Sequence, residues 1–331
     1  MAIQQNDQAA KGISSGKSRV VKVILTLCGL ALLSCMVMRI GPESIWERLK
    51  SVDLVDLAGA SIAIVAGTAI SAVNSYLICS ASRFMTFFEY LRAFWVAWAV
   101  GLIVPGQVGD MLTLTQVLRR HGMPLAQSVA RTSLDKIVSL FCALLVASQM
   151  YRLNSAAVLQ ALSWMATALL IGLLVFLALS LWLLHHMRRF AFHRSWIVGM
   201  VATAAEVVHV MLAHPWLLLS NMVLSLVKVA VTGFSYWIVI KGLTGFFLSF
   251  TDVTAAAVSS GLVAYLPLSA NGIGTVEAAG TGLFGAAGLT ADIVLSMYVI
   301  LRLVNMLLAW IPAIFILPRV LRQRKNLVRS S

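Results

Sequence analysis

Apolar residues run along this chain in long blocks, not in strict alternation and not as a single helical stripe. Two windows, 57–82 and 153–184, contain no Asp, Glu, Lys, Arg or His. Each exceeds the roughly 20 apolar residues a helix needs to cross a bilayer, and a helix apolar on every side is one that lies buried or in lipid. The blocks predict six full spans, at 20–37, 54–80, 129–150, 156–184, 216–240 and 293–317. An amphipathic linker bearing Pro42, Glu43, Trp46, Glu47, Arg48 and Lys50 follows the first span and suits an interface, where Trp is comfortable. Residues 196–212, with Glu206 and His209 among small and apolar neighbours, read as an interfacial helix.

Two apolar stretches fall short of a span. Residues 94–104 stop at Pro105-Gly106-Gln107-Val108-Gly109-Asp110 and resume as far as Leu118; residues 253–266 stop at a break from Pro267 to Gly274 and resume over 275–287. Proline removes a backbone donor and glycine loosens a helix. Irregular backbone at membrane depth is tolerated only inside protein or beside a wet cavity. Pro105, Gly106, Gly109 and Pro267 are therefore taken as helix breaks, and the flanking runs as two re-entrant helical hairpins; the alternative is a pair of ordinary spans joined by a loop. The expected fold class is an all-α polytopic membrane protein of about six spans plus these hairpins.

The two broken units resemble each other: proline, glycines, an acid opening a short helix, a Gly-led turn, then a long span with a charge inside it. From Asp110, Gly122, Ala126 and Asp135 follow; from Glu277, Gly288, Ala291 and Arg302 follow, and the two acids stand 167 positions apart. Charge then orients the halves. The net charge is +13, gathered at the ends of apolar blocks: Lys11, Lys17, Arg19 and Lys22; Arg188, Arg189 and Arg194; and Arg319, Arg322, Arg324, Lys325 and Arg329. This is the positive-inside pattern and gives no reason to expect nucleic acid. With every cluster cytoplasmic, both termini lie inside and the hairpins enter from opposite sides. The result is an inverted repeat, 20–152 against 156–318, the architecture of alternating-access carriers. Residues 1–18 are expected to be a disordered cytoplasmic tail, 19–318 one transmembrane domain, and 319–331 a basic cytoplasmic tail. No signal peptide is recognised.

Composition agrees, with 60% apolar and 11% charged residues against about 25% charged in soluble domains. Ionisable groups at membrane depth are costly and become functional candidates. Asp110 and Glu277 open short helices, where an acid also simply complements the helix dipole. Lys228 and Arg302 lie too deep to reach headgroups, so a buried partner or a wet groove is expected, with Glu277 and Asp110 as counter-ions. Arg131 and Lys136 can snorkel, with Asp135 pairing locally. Asn271-Gly272-Ile273-Gly274-Thr275 offers free amides at a helix start, a natural anion cradle. Gly280-x-Gly282-x-x-Gly285 matches a dinucleotide fingerprint in spacing but follows no strand, so close helix packing explains it better. Cys28, Cys35, Cys79 and Cys142 are read as inert, and no metal, cofactor or catalytic constellation is visible. The chain is not expected to be an enzyme.

Val104-Pro-Gly-Gln-Val-Gly-Asp110 with Gly122, Ala126 and Asp135-Lys136, together with Leu266-Pro-Leu-Ser-Ala-Asn-Gly-Ile-Gly-Thr-Val-Glu277, Gly288 and Arg302, resemble the lysylphosphatidylglycerol synthase transmembrane (flippase-like) family over about residues 20–320. The resemblance implies a stand-alone member without the synthase domain, in the bacterial inner membrane. It implies a lipid translocase or lipid-handling protein whose partners are membrane lipids: a phospholipid, a hopanoid or a polyprenyl-linked lipid. Pro267, Gly272, Gly274, Glu277 and Arg302 fit the family pattern. Gln107 and Thr113 stand where the family often has arginine, and Asp110 where Glu is commoner. The substrate path is expected along Glu277, Arg302, Asp110, Lys228, Asp135, Asn271, Gly272 and Gly274, and Glu277→Gln or Arg302→Ala is expected to abolish transport while leaving folded protein. Rival readings are a small-solute or ion-coupled carrier and a non-transporting partner of a lipid, hopanoid or glycolipid biosynthesis enzyme; a homo-oligomer fits any of these.

Overall fold

A computed structural model describes residues 31–39, 41–104, 108–148, 195–266 and 269–329, and within them the chain is all-helical. The expected span at 156–184 and its basic turn lie outside the described residues, as do most of the span at 20–37, Pro105, Gly106, Gln107 and Pro267. Residues 31–39 are helical. The next helix, α1 (Pro42–Ser51), matches the amphipathic linker, and its exposed Trp46 carries Lys50 over the ring.

The long apolar blocks become α2 (Leu54–Ile78), α5 (Leu125–Ala147), α7 (Pro215–Thr244) and α10 (Ala291–Arg329). Among the described residues, three helical stretches are long and apolar enough to cross a membrane: α2, α7 and the first part of α10, Ala291–Ile316. They hold large apolar side chains outward, among them Ile62, Val223, Leu307 and Phe315, as a helix facing lipid must. α10 does not stop at the expected boundary near 319; its backbone stays helical to Arg329. α6 (Ser195–Ala213) covers the segment read as interfacial and packs on α5.

Shorter helices form two consecutive pairs. α3 (Phe87–Gly101) packs on α4 (Gly109–Arg120), and α8 (Phe250–Leu262) packs on α9 (Thr275–Ala286). At 1.5 Å per residue each is about 18–23 Å long, short of a hydrocarbon core of about 30 Å. α3 starts at Phe87, not at residue 94 as hydropathy suggested, because Thr86 and Glu89 form a reciprocal capping box ahead of the apolar run. Gly109, expected in the first break, is the first residue of α4.

Small residues set the closest packing. α2 and α7 lie along each other; a Cβ on Gly59 would come within 2.6 Å of the Ile238 Cδ1 atom. α7 meets α8 through Gly233, where a Cβ would fall 2.1 Å from the Thr254 Oγ1 atom. Such stripes are how helices approach when no water drives them together. α3 and α10 are joined differently. The Trp95 indole donates to the Leu308 carbonyl (3.0 Å), and the Trp310 indole donates back to the Ala99 carbonyl (3.2 Å). Pairs Asp56–Lys241 (2.9 Å) and Arg48–Asp292 (3.2 Å) tie α2 to α7 and α1 to α10 near helix ends.

Candidate functional site at the meeting of the two helix pairs

Residues flanking both breaks line a single cavity of about 370 Å³. Gly101 and Asp110 come from the first, Tyr265 and Asn271 from the second, while α2, α5, α7 and α10 complete the wall. Lining it are five of the charges at issue: Asp110, Asp135, Lys136, Lys228 and Arg302.

The second break is wound tightly. Asn271, Gly272 and Gly274 take φ values of 46°, 69° and 81°, a left-handed path natural only to Gly and tolerated by Asn. At Gly272 a side chain would also strike Val276 (2.4 Å) and the Ala264 backbone (3.1 Å). This winding brings the Gly274 N–H to Glu277, which accepts it at 2.7 Å with one carboxylate oxygen and binds Arg302 with the other. Arg302 also donates to the Asn271 carbonyl at 3.4 Å. Glu277 is 1% exposed and stands behind the cavity wall; Arg302 reaches the cavity. The amide at Gly274 that the sequence seemed to offer to an anion is thus held by the chain's own carboxylate. Gly272 and Gly274 shape the turn and are not among the lining residues.

The first break ends more simply. Asp110 accepts from its neighbour's amide, Met111 N–H, at 2.8 Å, and its other oxygen pairs with Lys136 of α5. The register of this pair differs from expectation: spacing pointed to Asp135 as the counterpart of Arg302, but Lys136 faces Asp110. Asp135 turns to α7, where Asn221 donates to its Oδ1 at 2.8 Å. Asn221 donates also to Asn74 of α2 (2.9 Å), and Asn74 donates to Ser225 (3.1 Å), so a buried amide chain links three helices behind Asp135. Lys228 lines the cavity and forms no ion pair or hydrogen bond among the described residues. Arg131 does not snorkel; it is buried and pairs with Glu206 of α6 at 2.9 Å. No group of three or more potential metal-binding side chains gathers among the described residues.

Residues 19–313 match the family model described as the lysylphosphatidylglycerol synthase TM region. The chain belongs to this family. Comparison with the curated proteins returns no match. Membership in the lysylphosphatidylglycerol synthase TM family makes this a membrane protein, in keeping with its outward apolar side chains, and the match takes in both helix pairs and the whole cavity wall.

Three participants were passed over or undervalued in the sequence: Lys136, Asn74 and Asn221. The asparagines had a usable signal, since a polar amide inside an apolar span seeks a partner across helices. Lys136 had a weaker one, because adjacent positions on a helix differ by about 100° and spacing alone does not choose between them.

Proposed function

We propose that this protein is a lipid translocase or lipid-handling protein that takes a polar headgroup into the cavity while the tails remain in the bilayer. In this reading the helix pairs are re-entrant hairpins entering from opposite faces of the inner membrane. The repeat is inverted, and both termini are cytoplasmic. The observation that carries it is the cavity itself: two helix pairs too short to span converge, within a membrane-protein family, on one space lined by ionisable groups. A headgroup moving through such a space keeps polar partners throughout, whereas in hydrocarbon each unsatisfied polar group costs several kcal/mol.

The test is leaflet-resolved transport. In proteoliposomes with tail-labelled phospholipids, the protein is expected to raise inward and outward movement well above that of protein-free vesicles, and Lys228→Ala to lower it about tenfold, equivalent to about 1.4 kcal/mol of barrier. Movement equal to the protein-free rate for every lipid would discard the reading. Its topology is tested separately. Gln107→Cys and Asn271→Cys should label with an impermeant reagent from opposite sides, and labelling of both from one side removes the inversion.

A further inference from the structure

The charges around the cavity are not all matched within the protein. Lys136 is taken by Asp110 and Arg302 by Glu277, which leaves two. Lys228, half-buried near the middle of α7, has an ammonium with no partner among the described residues. Asp135 on α5 has one oxygen held by Asn221, while its Oδ2 has no partner among the described residues. Both side chains line the cavity, and each lies close enough to influence the other through space without forming an ion pair. Lys136 and Asp110 are the other charges acting on Lys228.

The geometry keeps these two apart. Asn221, anchored by Asn74, holds the carboxylate of Asp135 at one level of α7; Lys228 stands on the same face of α7 two turns further along, about 10 Å of rise. The empty site therefore presents a separated plus and minus. Counting Glu277 behind the wall, three acids face three bases, so the site is close to neutral. Adding a ligand with net charge would leave that charge uncompensated in a cavity walled by membrane helices, which is unfavourable relative to a ligand of no net charge. A ligand with one charge of each sign avoids that cost and satisfies both unmatched groups.

Resting on the lipid-handling reading above, we infer that the preferred cargo is a zwitterionic phospholipid headgroup, with its phosphate diester against Lys228 and its primary ammonium against Asp135. A net-anionic headgroup would meet Lys228 but repel Asp135; a net-cationic one would do the reverse.

The experiment is native mass spectrometry of the purified full chain in detergent, offered equal amounts of phosphatidylethanolamine and phosphatidylglycerol with identical tails. Wild type should retain the ethanolamine lipid about tenfold over the glycerol lipid. Asp135→Asn and Lys228→Met should each bring that ratio near one, and Lys228→Arg should preserve it. Equal retention of both lipids by wild type, or a ratio that survives both neutralising substitutions, overturns the inference. Selective retention without leaflet movement in proteoliposomes would instead sink translocation and leave the headgroup assignment standing.

Discussion

In α9 the first-turn acid, Glu277, keeps 1% of its side chain exposed, whereas its counterpart in α4, Asp110, keeps 21%. Both pair with a base in the following long helix, 25 residues on for Glu277 and 26 for Asp110. The same plan is thus executed once as a buried clamp and once as an element of the cavity lining. Glu277 also caps its own helix through Gly274, so one carboxylate fastens the turn, α9 and α10 together. Asp110 fastens only α4 to α5, with space beside it. The difference separates two arrangements that sequence similarity merged: the turn at 271–274 is clamped by a buried carboxylate, and Asp110 places its charge in the cavity lining.

The largest test of this contrast removes each acid in turn. Glu277→Gln leaves Arg302, 18% exposed, charged and without its carboxylate, for which the cost is about 3–5 kcal/mol. Asp110→Asn leaves Lys136 beside the cavity, where solvent or headgroup can reach it, and should cost about 1 kcal/mol. Thermal unfolding in detergent is expected to show a marked drop for the first and a slight one for the second; equal drops would erase the distinction. A marked drop for Glu277→Gln would run against the expectation from sequence that this substitution leaves folded protein.

A smaller effect probes packing behind each break. A Cβ at Gly280 in α9 would sit 2.3 Å from the ring of Tyr298, which is itself bound to Ser260 at 2.6 Å. At Gly101 in α3 the nearest atom is the Asp110 Cβ atom at 3.4 Å. Gly280→Ala should therefore lose about 1–3 kcal/mol by overpacking, and Gly101→Ala should stay within about 0.5 kcal/mol of wild type. Comparable losses in the same melts would show that the two sides are equally tight.

Much of the helix layout could be read from hydropathy alone, because spans such as α2 and α7 are predominantly apolar and need no partner to be recognised. The start of α3 was hidden, since Glu89 and Arg92 interrupt its first turns and only the Thr86-x-x-Glu89 cap marks it. The charged residues of the site were also visible as rare ions in apolar blocks. Their pairing was not. Whether Asp135 or Lys136 meets Asp110 depends on how α5 is rotated against α4 and α7, which arises from packing and not from spacing. The pair Arg131–Glu206 escaped for a related reason: its members are distant in sequence, and Glu206 sits on a helix expected to lie apart.

The reciprocal indoles of Trp95 and Trp310 set a mechanical condition on any motion. They stitch a helix of the first half of the sequence to a helix of the second, so the two halves are tied together where α3 meets α10. Sliding one half past the other would have to break both indole–carbonyl contacts at once, and the Trp98 packing on Ala309 and Ala313 with them. The easier partition keeps α3 and α10 together as one strut, although they come from different halves of the sequence.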